Sequence, residues 1–370
     1  MDFAPTDAQQ AIREAFHGFA QRAIRPRAAE LDARPEFPAD LFAQAAELGF
    51  FGMRYPEPDG SGADVVSYVL AVEELAWGSL AVAASLCMQS LMGTYFLHRL
   101  APGELRQRLF PRAMAGEVVG TICMTEPDAG SDLKGIATRG RPGEGGGWRL
   151  SGQKTWITSA PVADVFTVFA ATGEGELSVF LVEKGAPGLV VGRSIDKAGV
   201  RASLTSEVFL EDTPAVLLGE RGGGLGYLRE ILAQVRLMTA ALSLGVARAA
   251  YEDALAYAGE RRQFGRPIRK FQAVSAHLAD MAVDLEAARR LTHWAAWRSD
   301  QGLENATEAS MAKLFASEAA ARICDRAARV LASYGFATES PVERYLRDVR
   351  FLLIGGGTSE ILRVNIARGL

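Results

Sequence analysis

An α+β fold in three parts, helical, then β, then helical, is predicted by three observations. Apolar residues recur three and four apart at the start of the chain, short β-prone runs divided by turn formers fill its middle, and the helical period returns from Leu228. At 370 residues the chain is too long for one ordinary domain. The expected division is an N-terminal helical domain over 1–116, a middle domain over 117–226 built as an antiparallel β-barrel, and a C-terminal four-helix bundle over 227–370.

In the first part, 11–24, 39–48, 65–77 and 104–115 carry the helical spacing, and Pro26, Pro35, Pro38 and YPEPDGSG at 55–62 separate them. In the second, VVGTICM, WRLSG, TWIT, VFTVFAA, LSVFLVE, GLVVGR and EVFLE read as strands, with turn formers such as RPGEGGG at 141–147 between them. In the third, Leu237, Ala241, Leu244, Tyr251 and Leu255 mark one apolar stripe. GRPI at 265–268 and ESP at 339–341 interrupt long helices suited to a bundle. The uncharged stretch 78–97 has the length of a membrane-spanning helix. Its Ser79, Ser85, Gln89, Ser90, Gly93 and Thr94 suit a helix buried inside the protein better, so no membrane is expected.

Composition excludes whole classes of function. Forty Lys and Arg against 44 Asp and Glu leave a net charge of −4, with no basic run of the kind that nucleic acid requires. Apolar residues at 49% and charged ones at 23% exclude a disordered chain. Cys87, Cys123 and Cys324 are scattered without ligand spacing, which predicts reduced thiols in the cytoplasm rather than zinc or disulfides. RGGGLG at 221–226 and GGG at 145–147 read as loops, since no βαβ pattern surrounds them. His17, His98, His277 and His293 lie in unrelated segments, so neither a metal site nor a histidine relay is expected.

Polar chemistry concentrates in four places. Cys123 to Asp132 (CMTEPDAGSD) is a strand end running into a turn dense with hydroxyls and containing Gly130, where a ligand can approach the backbone. Lys154 to Ser159 (KTWITS) sets an aromatic ring between hydroxyls on a strand. Arg261 to Ile268 (RRQFGRPI), with Phe271 and Gln272, places cations, an amide and aromatics in a bend between two helices, suitable for pyrophosphate and a planar ring. Gly355 to Ile361 (GGGTSEI) is a glycine turn opening the last helix, whose free N–H groups suit an anion or a carbonyl.

In this order along an α–β–α chain, the four resemble the acyl-CoA dehydrogenases, FAD-dependent flavoproteins, over essentially the whole length. Thr125 to Asp132 looks like the family's first signature, Trp156-Ile-Thr158 its flavin-facing strand, Arg261-x-x-Phe264-Gly with Gln272 its third element, and Gly357-Thr-Ser-Glu360 its last. The resemblance implies that Ile122, Met124, Thr125, Gly130 and Ser131 hold the flavin edge, with Trp156 and Ile157 beside it and Thr158 at N5, the hydride acceptor. It implies that Arg261, Gln263, Phe264, Phe271, Gln272 and Arg329 bind the FAD of a neighbouring subunit in a dimer or tetramer, and that Thr358 and Glu360 reach the adenosine half. Ser131, Arg236 and Gly356 would meet the acyl thioester, carried by CoA or an acyl carrier protein. Electrons would pass to an electron-transfer flavoprotein. The family's reaction is α,β-dehydrogenation: a carboxylate removes the α-proton and the β-hydrogen leaves as hydride.

Here the chain departs from the pattern. The position just before Gly-Thr, where most members carry the catalytic glutamate, is Gly356. The alternative position beside the conserved arginine is Val235. Neither accepts a proton, so no catalytic residue is assigned from the sequence. Glycine is also expected to open volume where a carboxylate stands in relatives. Three readings follow: a dehydrogenase whose base comes from a shifted carboxylate, the substrate or water; a flavin monooxygenase on the same fold; or a base-less subunit of a hetero-oligomeric acyl-CoA dehydrogenase.

Overall fold

The computed structural model describes residues 4–369. Helices α1 (Asp7–Phe19), α2 (Ala28–Ala33), α3 (Ala39–Glu47), α4 (Val65–Gly78), α5 (Leu80–Cys87), α6 (Gly93–Leu100) and α7 (Gly103–Met114) come first. Strands β1 (Gly120–Cys123), β2 (Arg139–Pro142), β3 (Trp148–Thr158), β4 (Val165–Gly173), β5 (Glu176–Glu183), β6 (Leu189–Ser194) and β7 (Thr205–Leu218) follow. Helix α8 (Gly224–Glu260) then leads through a small hairpin, β8 (Arg262–Gln263) and β9 (Arg266–Pro267), to α9 (Gln272–Asp300), α10 (Ala306–Leu331), α11 (Pro341–Asp348) and α12 (Ser359–Arg368).

The middle sheet corrects the expected antiparallel barrel. Strands β4, β2, β3, β7 and β5 close into a ring through the β4–β5 pairing, with β1 added beside β4 and β6 beside β7. The sheet is mixed: β1 runs parallel to β4 (Gly120 opposite Val165), and β2 meets β4 in parallel at Arg139 and Ala171. Period-2 alternation is the same in either direction, so the strand pattern could not tell them apart. WRLSG and TWIT form one strand, β3, and RGRP at 139–142, which overlaps the start of the turn expected at 141–147, forms β2.

Strands β4 and β5 read as unbroken apolar runs because both of their faces are buried. Phe166, Val168 and Ala170 of β4, with Phe180 and Val182 of β5, fill the barrel around Leu150, Ile157 and Val208. The alternate residues Val165, Phe169, Val179 and Leu181 join the larger core formed by the helices. Phe169 meets Phe96 of α6 edge-on, with centroids 5.4 Å apart.

The C-terminal part has three long helices of 37, 29 and 26 residues (α8, α9, α10) and a short fourth, α12. Gly245 lets α8 cross α4 closely: a Cβ there would lie 2.4 Å from the Glu73 carbonyl oxygen. The segment Leu80–Leu100 and helix α8 are long and apolar enough to cross a membrane, but 83% and 72% of their most apolar windows are buried within the protein.

The loop before β7 docks on the last helices through a buried carboxyl. Asp348 accepts the Val200 N–H at 2.6 Å, and its neighbour Arg347 binds Asp32, Glu343 and the Ala198 carbonyl. Burial pushes the Asp348 carboxyl up to about 6, against the Val200 hydrogen bond. A carboxyl whose folded value exceeds its unfolded one contributes stability below the usual range near pH 4 and loses it as pH rises through about 6. Asp348→Asn keeps an acceptor without the charge. The variant should be the more stable protein at about pH 8, by at most ~3 kcal/mol at 1.36 kcal/mol per pKa unit, and should lose that advantage at about pH 4. Urea melts in which the parent is the more stable at pH 8 would contradict this account.

Candidate active site

The first two polar concentrations fold into one surface. Beyond β1 the chain turns back on itself at Glu126 and Ala129, which exchange backbone hydrogen bonds. The turn is strapped to β3 by a buried pair that the sequence analysis did not identify. Lys154, fully buried, donates to Glu126 Oε1 at 2.8 Å and to the Met124 carbonyl at 3.1 Å. Glu126 also accepts the Ala137 and Thr138 N–H groups, and Thr155 N–H donates to the Thr125 carbonyl. Burial works against both charges and lowers Lys154, whereas the hydrogen bonds to Glu126 outweigh its burial and hold that carboxylate below its usual range. The pair was legible only as two residues 28 apart, with nothing in the spacing to join them.

Strand β3 carries a bulge between Lys154 and Ile157. Within it, Trp156 takes φ 58° and turns an indole, 57% exposed, out of the sheet, while Ile157 stays in the barrel core. A bulge re-aims one side chain in this way without breaking the strand. Thr158 is half-buried, and its carbonyl accepts Thr121 Oγ1 at 2.5 Å. The hydroxyls of Thr125, Thr158 and the exposed Ser131 have no partner within the chain among the described residues. Gly130 is exposed, and a Cβ there would come within ordinary contact only of the Thr125 methyl, at 3.9 Å. Ile122 is buried beneath this surface and Met124 half-buried. An exposed indole beside unpaired hydroxyls fits a planar heteroaromatic ring with a hydrogen-bonding edge.

The last glycine turn lies against α8 and α10. Gly356 has φ 71° and Gly357 φ 104°, both left-handed. Thr358 caps α12 by accepting the Ile361 N–H, and Glu360 is exposed in the first turn, held below its usual range by its own backbone N–H and by Thr358. The Gly356 N–H makes no bond within the chain among the described residues. Contrary to the expected open volume, a Cβ on Gly356 would lie only 2.7 Å from Thr239 Oγ1 on α8. Lys313 of α10, fully buried, donates to the Gly357 carbonyl at 2.6 Å, and burial pushes its ammonium down to about 8.

Arg236 donates to Ser310 Oγ at 2.9 Å, and its Nε is buried without a partner. Burial alone lowers its guanidinium, with no carboxylate close enough to oppose it. Val235 is buried and apolar. Thr239, Ser310 and Lys313 were all missed from the sequence, because each lies on a helix face that otherwise reads as core.

The third concentration stands apart. Phe264 (φ 49°) and Gly265 (φ 81°) form the two-residue turn between β8 and β9, a hairpin type that needs positive φ at both central residues. Phe264 is 92% exposed, Phe271 meets its edge at 5.9 Å, and Arg266 lies over Phe271 at 4.4 Å. Arg261, Gln263 and Gln272 are exposed, and Arg329 pairs with Asp325 on its own helix. Among the described residues, no hydrogen bond, ion pair or ring contact brings Arg261, Gln263, Phe264, Phe271, Gln272 or Arg329 to the Trp156 surface.

Comparison with known proteins accounts for this arrangement. The N-terminal, middle and C-terminal domains of the acyl-CoA dehydrogenase family match residues 6–117, 121–213 and 222–370. Benzylmalonyl-CoA dehydrogenase of Aromatoleum aromaticum is 56% identical, covering 100% of this chain and 99% of its own. A 3-(aryl)acrylate reductase of Clostridium sporogenes is 38% identical, covering 99% of each. Among solved structures, butyryl-CoA dehydrogenase from Megasphaera elsdenii superposes with a TM-score of 0.96 at 33% identity, covering 100% of this chain and 99% of that one. PigA with FAD and proline gives 0.96 at 31%, with the same coverage. A chain from the structure of the electron transferring flavoprotein of Acidaminococcus fermentans gives 0.96 at 35%, again with the same coverage. The chain belongs to the acyl-CoA dehydrogenase family and is an FAD-dependent dehydrogenase of acyl-CoA thioesters.

Proposed function

We propose that the substrate is an arylmethyl-malonyl thioester of the benzylmalonyl-CoA kind and that its own carboxylate replaces the missing base. The observation that carries this reading is the set of residues around the glycine turn. Gly356 and Val235 cannot take a proton, and Thr239, Ser310 and Lys313, which meet Gly356, Arg236 and Gly357, include no carboxylate. An ordinary acyl thioester needs its α-proton removed, whereas an α-carboxylated one can yield the same electron pair by losing CO2. The names of two relatives support the skeleton: benzylmalonyl and 3-arylacrylate are the substrate and product sides of this oxidation.

The reaction balances without a base. The bond from Cα to the carboxylate breaks and releases CO2. Its electron pair becomes the Cα–Cβ double bond as the β-hydrogen departs with both its electrons. When bound, FAD supplies the acceptor for that hydride. The product is a 3-arylacrylyl thioester.

The chain's residues hold and polarise. Thr125, Gly130, Ser131, Trp156 and Thr158 would hold the flavin ring. The unpaired Gly356 N–H would donate to the thioester carbonyl, where negative charge builds as CO2 leaves. The projecting hairpin, with Arg261, Gln263, Phe264, Phe271 and Gln272, and Arg329 on α10, would complete the FAD site of a second copy in a dimer or tetramer. Thr358 and Glu360 would lie toward the adenosine half. An electron-transfer flavoprotein is the electron acceptor in this reading.

The test is stoichiometry. Mixed anaerobically with benzylmalonyl-CoA, the FAD-loaded protein should bleach its flavin and release about one CO2 per flavin reduced. Bleaching without CO2, or no bleaching at all, would remove this reading.

A further inference from the structure

Helix α8 presents one polar group to the glycine turn. Thr239 is buried, as are its sequence neighbours Leu237, Met238, Ala240, Ala241 and Leu242, and its hydroxyl donates to the Val235 carbonyl at 2.8 Å, leaving both lone pairs unused. That hydroxyl is the nearest atom to the place where a side chain at Gly356 would begin. Near it stand two cations that, among the described residues, hydrogen-bond no carboxylate. Arg236 reaches only Ser310 and the Ala306 carbonyl, and its buried Nε has no partner. Lys313 reaches only a carbonyl. Ser310 and Lys313 lie one turn apart on α10, so the two cations flank one face of that helix.

A buried ammonium and a half-buried guanidinium with a buried, unpartnered Nε are costly where no carboxylate bonds them directly, and Lys313 feels Glu318 and Glu360 only from a distance. Two other buried cations are directly paired: Arg248 meets Glu73 and Glu74, and Lys154 meets Glu126. Beside the glycine turn, the unpartnered Arg236 Nε and the Lys313 ammonium suit an anion that arrives with the ligand.

We propose that Thr239, backed by Arg236 and Lys313, forms the subsite that reads the α-carboxylate of the substrate. This deepens the function proposed above and rests on it. The Thr239 hydroxyl turns from the Val235 carbonyl to donate to a carboxylate oxygen, and the two cations supply an attractive field from behind the turn. A neutral hydroxyl suits a carboxylate that must leave. A bidentate ion pair would hold the negative charge in place, whereas one hydrogen bond orients it and lets the charge move into the thioester. Glycine at 356 is then required twice: no side chain fits over Thr239, and none may cover the carboxylate.

The experiment uses Thr239→Val, which keeps the shape and removes the donor, and Thr239→Ser, which restores it. Binding is measured by calorimetry on the dithionite-reduced, FAD-loaded protein, which cannot accept hydride, and kcat/KM is measured on the oxidised protein. The probes are benzylmalonyl-CoA and 3-phenylpropionyl-CoA, which lacks the carboxylate. Thr239→Val should weaken binding of benzylmalonyl-CoA, and lower its kcat/KM, by about 10- to 100-fold, as expected for losing a hydrogen bond to a charged group. The Kd for 3-phenylpropionyl-CoA should stay within about twofold, and Thr239→Ser should recover most of the loss. Equal losses for both ligands, or none, would overturn the subsite even if the parent releases CO2. A parent that releases no CO2 while Thr239→Val still loses binding selectively would instead overturn the decarboxylation and leave the subsite standing.

Discussion

Offered 3-phenylpropionyl-CoA in place of benzylmalonyl-CoA, the FAD-loaded protein should reduce its flavin ~10²–10⁴-fold more slowly, the usual cost of lacking a positioned base. The two thioesters share the aryl group, the Cβ hydrogens and the carbonyl, so the difference isolates the source of the Cα electron pair. Stopped-flow absorbance of the flavin under anaerobic conditions measures it directly, and comparable rates would mean that a base exists somewhere around Gly356. The converse follows from the same geometry. Gly356→Glu by itself should gain little, because the new Cβ meets Thr239 Oγ1 at 2.7 Å and the backbone is left-handed at φ 71°. Gly356→Glu with Thr239→Ala removes the steric obstacle and leaves only the left-handed backbone. The double variant should acquire activity on 3-phenylpropionyl-CoA without releasing CO2.

Lys154→Met should lower the unfolding free energy by ~3–5 kcal/mol, since it strands the Glu126 carboxylate in the interior. Glu126 is 6% exposed and organises the turn that bears Thr125 and Ser131, so the same variant should purify with much of its flavin lost. Removing both charges together, as Glu126→Gln with Lys154→Met, should cost clearly less than the single change, because no unpaired ion remains. Urea melts and the ratio of flavin to protein absorbance provide the two readouts. A single variant as stable as its parent would show that the strap contributes nothing.

The sequence carried the order of the parts, the four polar concentrations and the strands that alternate or run apolar. It could not carry direction. Strand β1 pairs parallel with β4 although β2 and β3 lie between them along the chain, and nothing in GTIC or VFTVFA encodes that. The bulge at Trp156 made one long strand look like two, since the irregularity that serves the site also breaks the period. RGRP was lost to turn formers although it pairs with β3 along its whole length. At the candidate site, the sequence shows groups adjacent along the chain and not those adjacent only in space. Gly356 stood out because it breaks a pattern. Thr239 lies 117 positions earlier on an apolar helix (356 − 239). Lys313 sits in an alanine-rich run where a lysine reads as solvated, yet it is fully buried.

The contact between Thr239 and Gly356 also constrains how such an enzyme could have arisen. A glutamate gained at one position meets an obstacle at the other, and a threonine lost first gives up its hold on the substrate while gaining no proton acceptor. On the proposed reading, each single step away from the present pair passes through a poorer catalyst, and the two positions must change together, like the two wards of one lock.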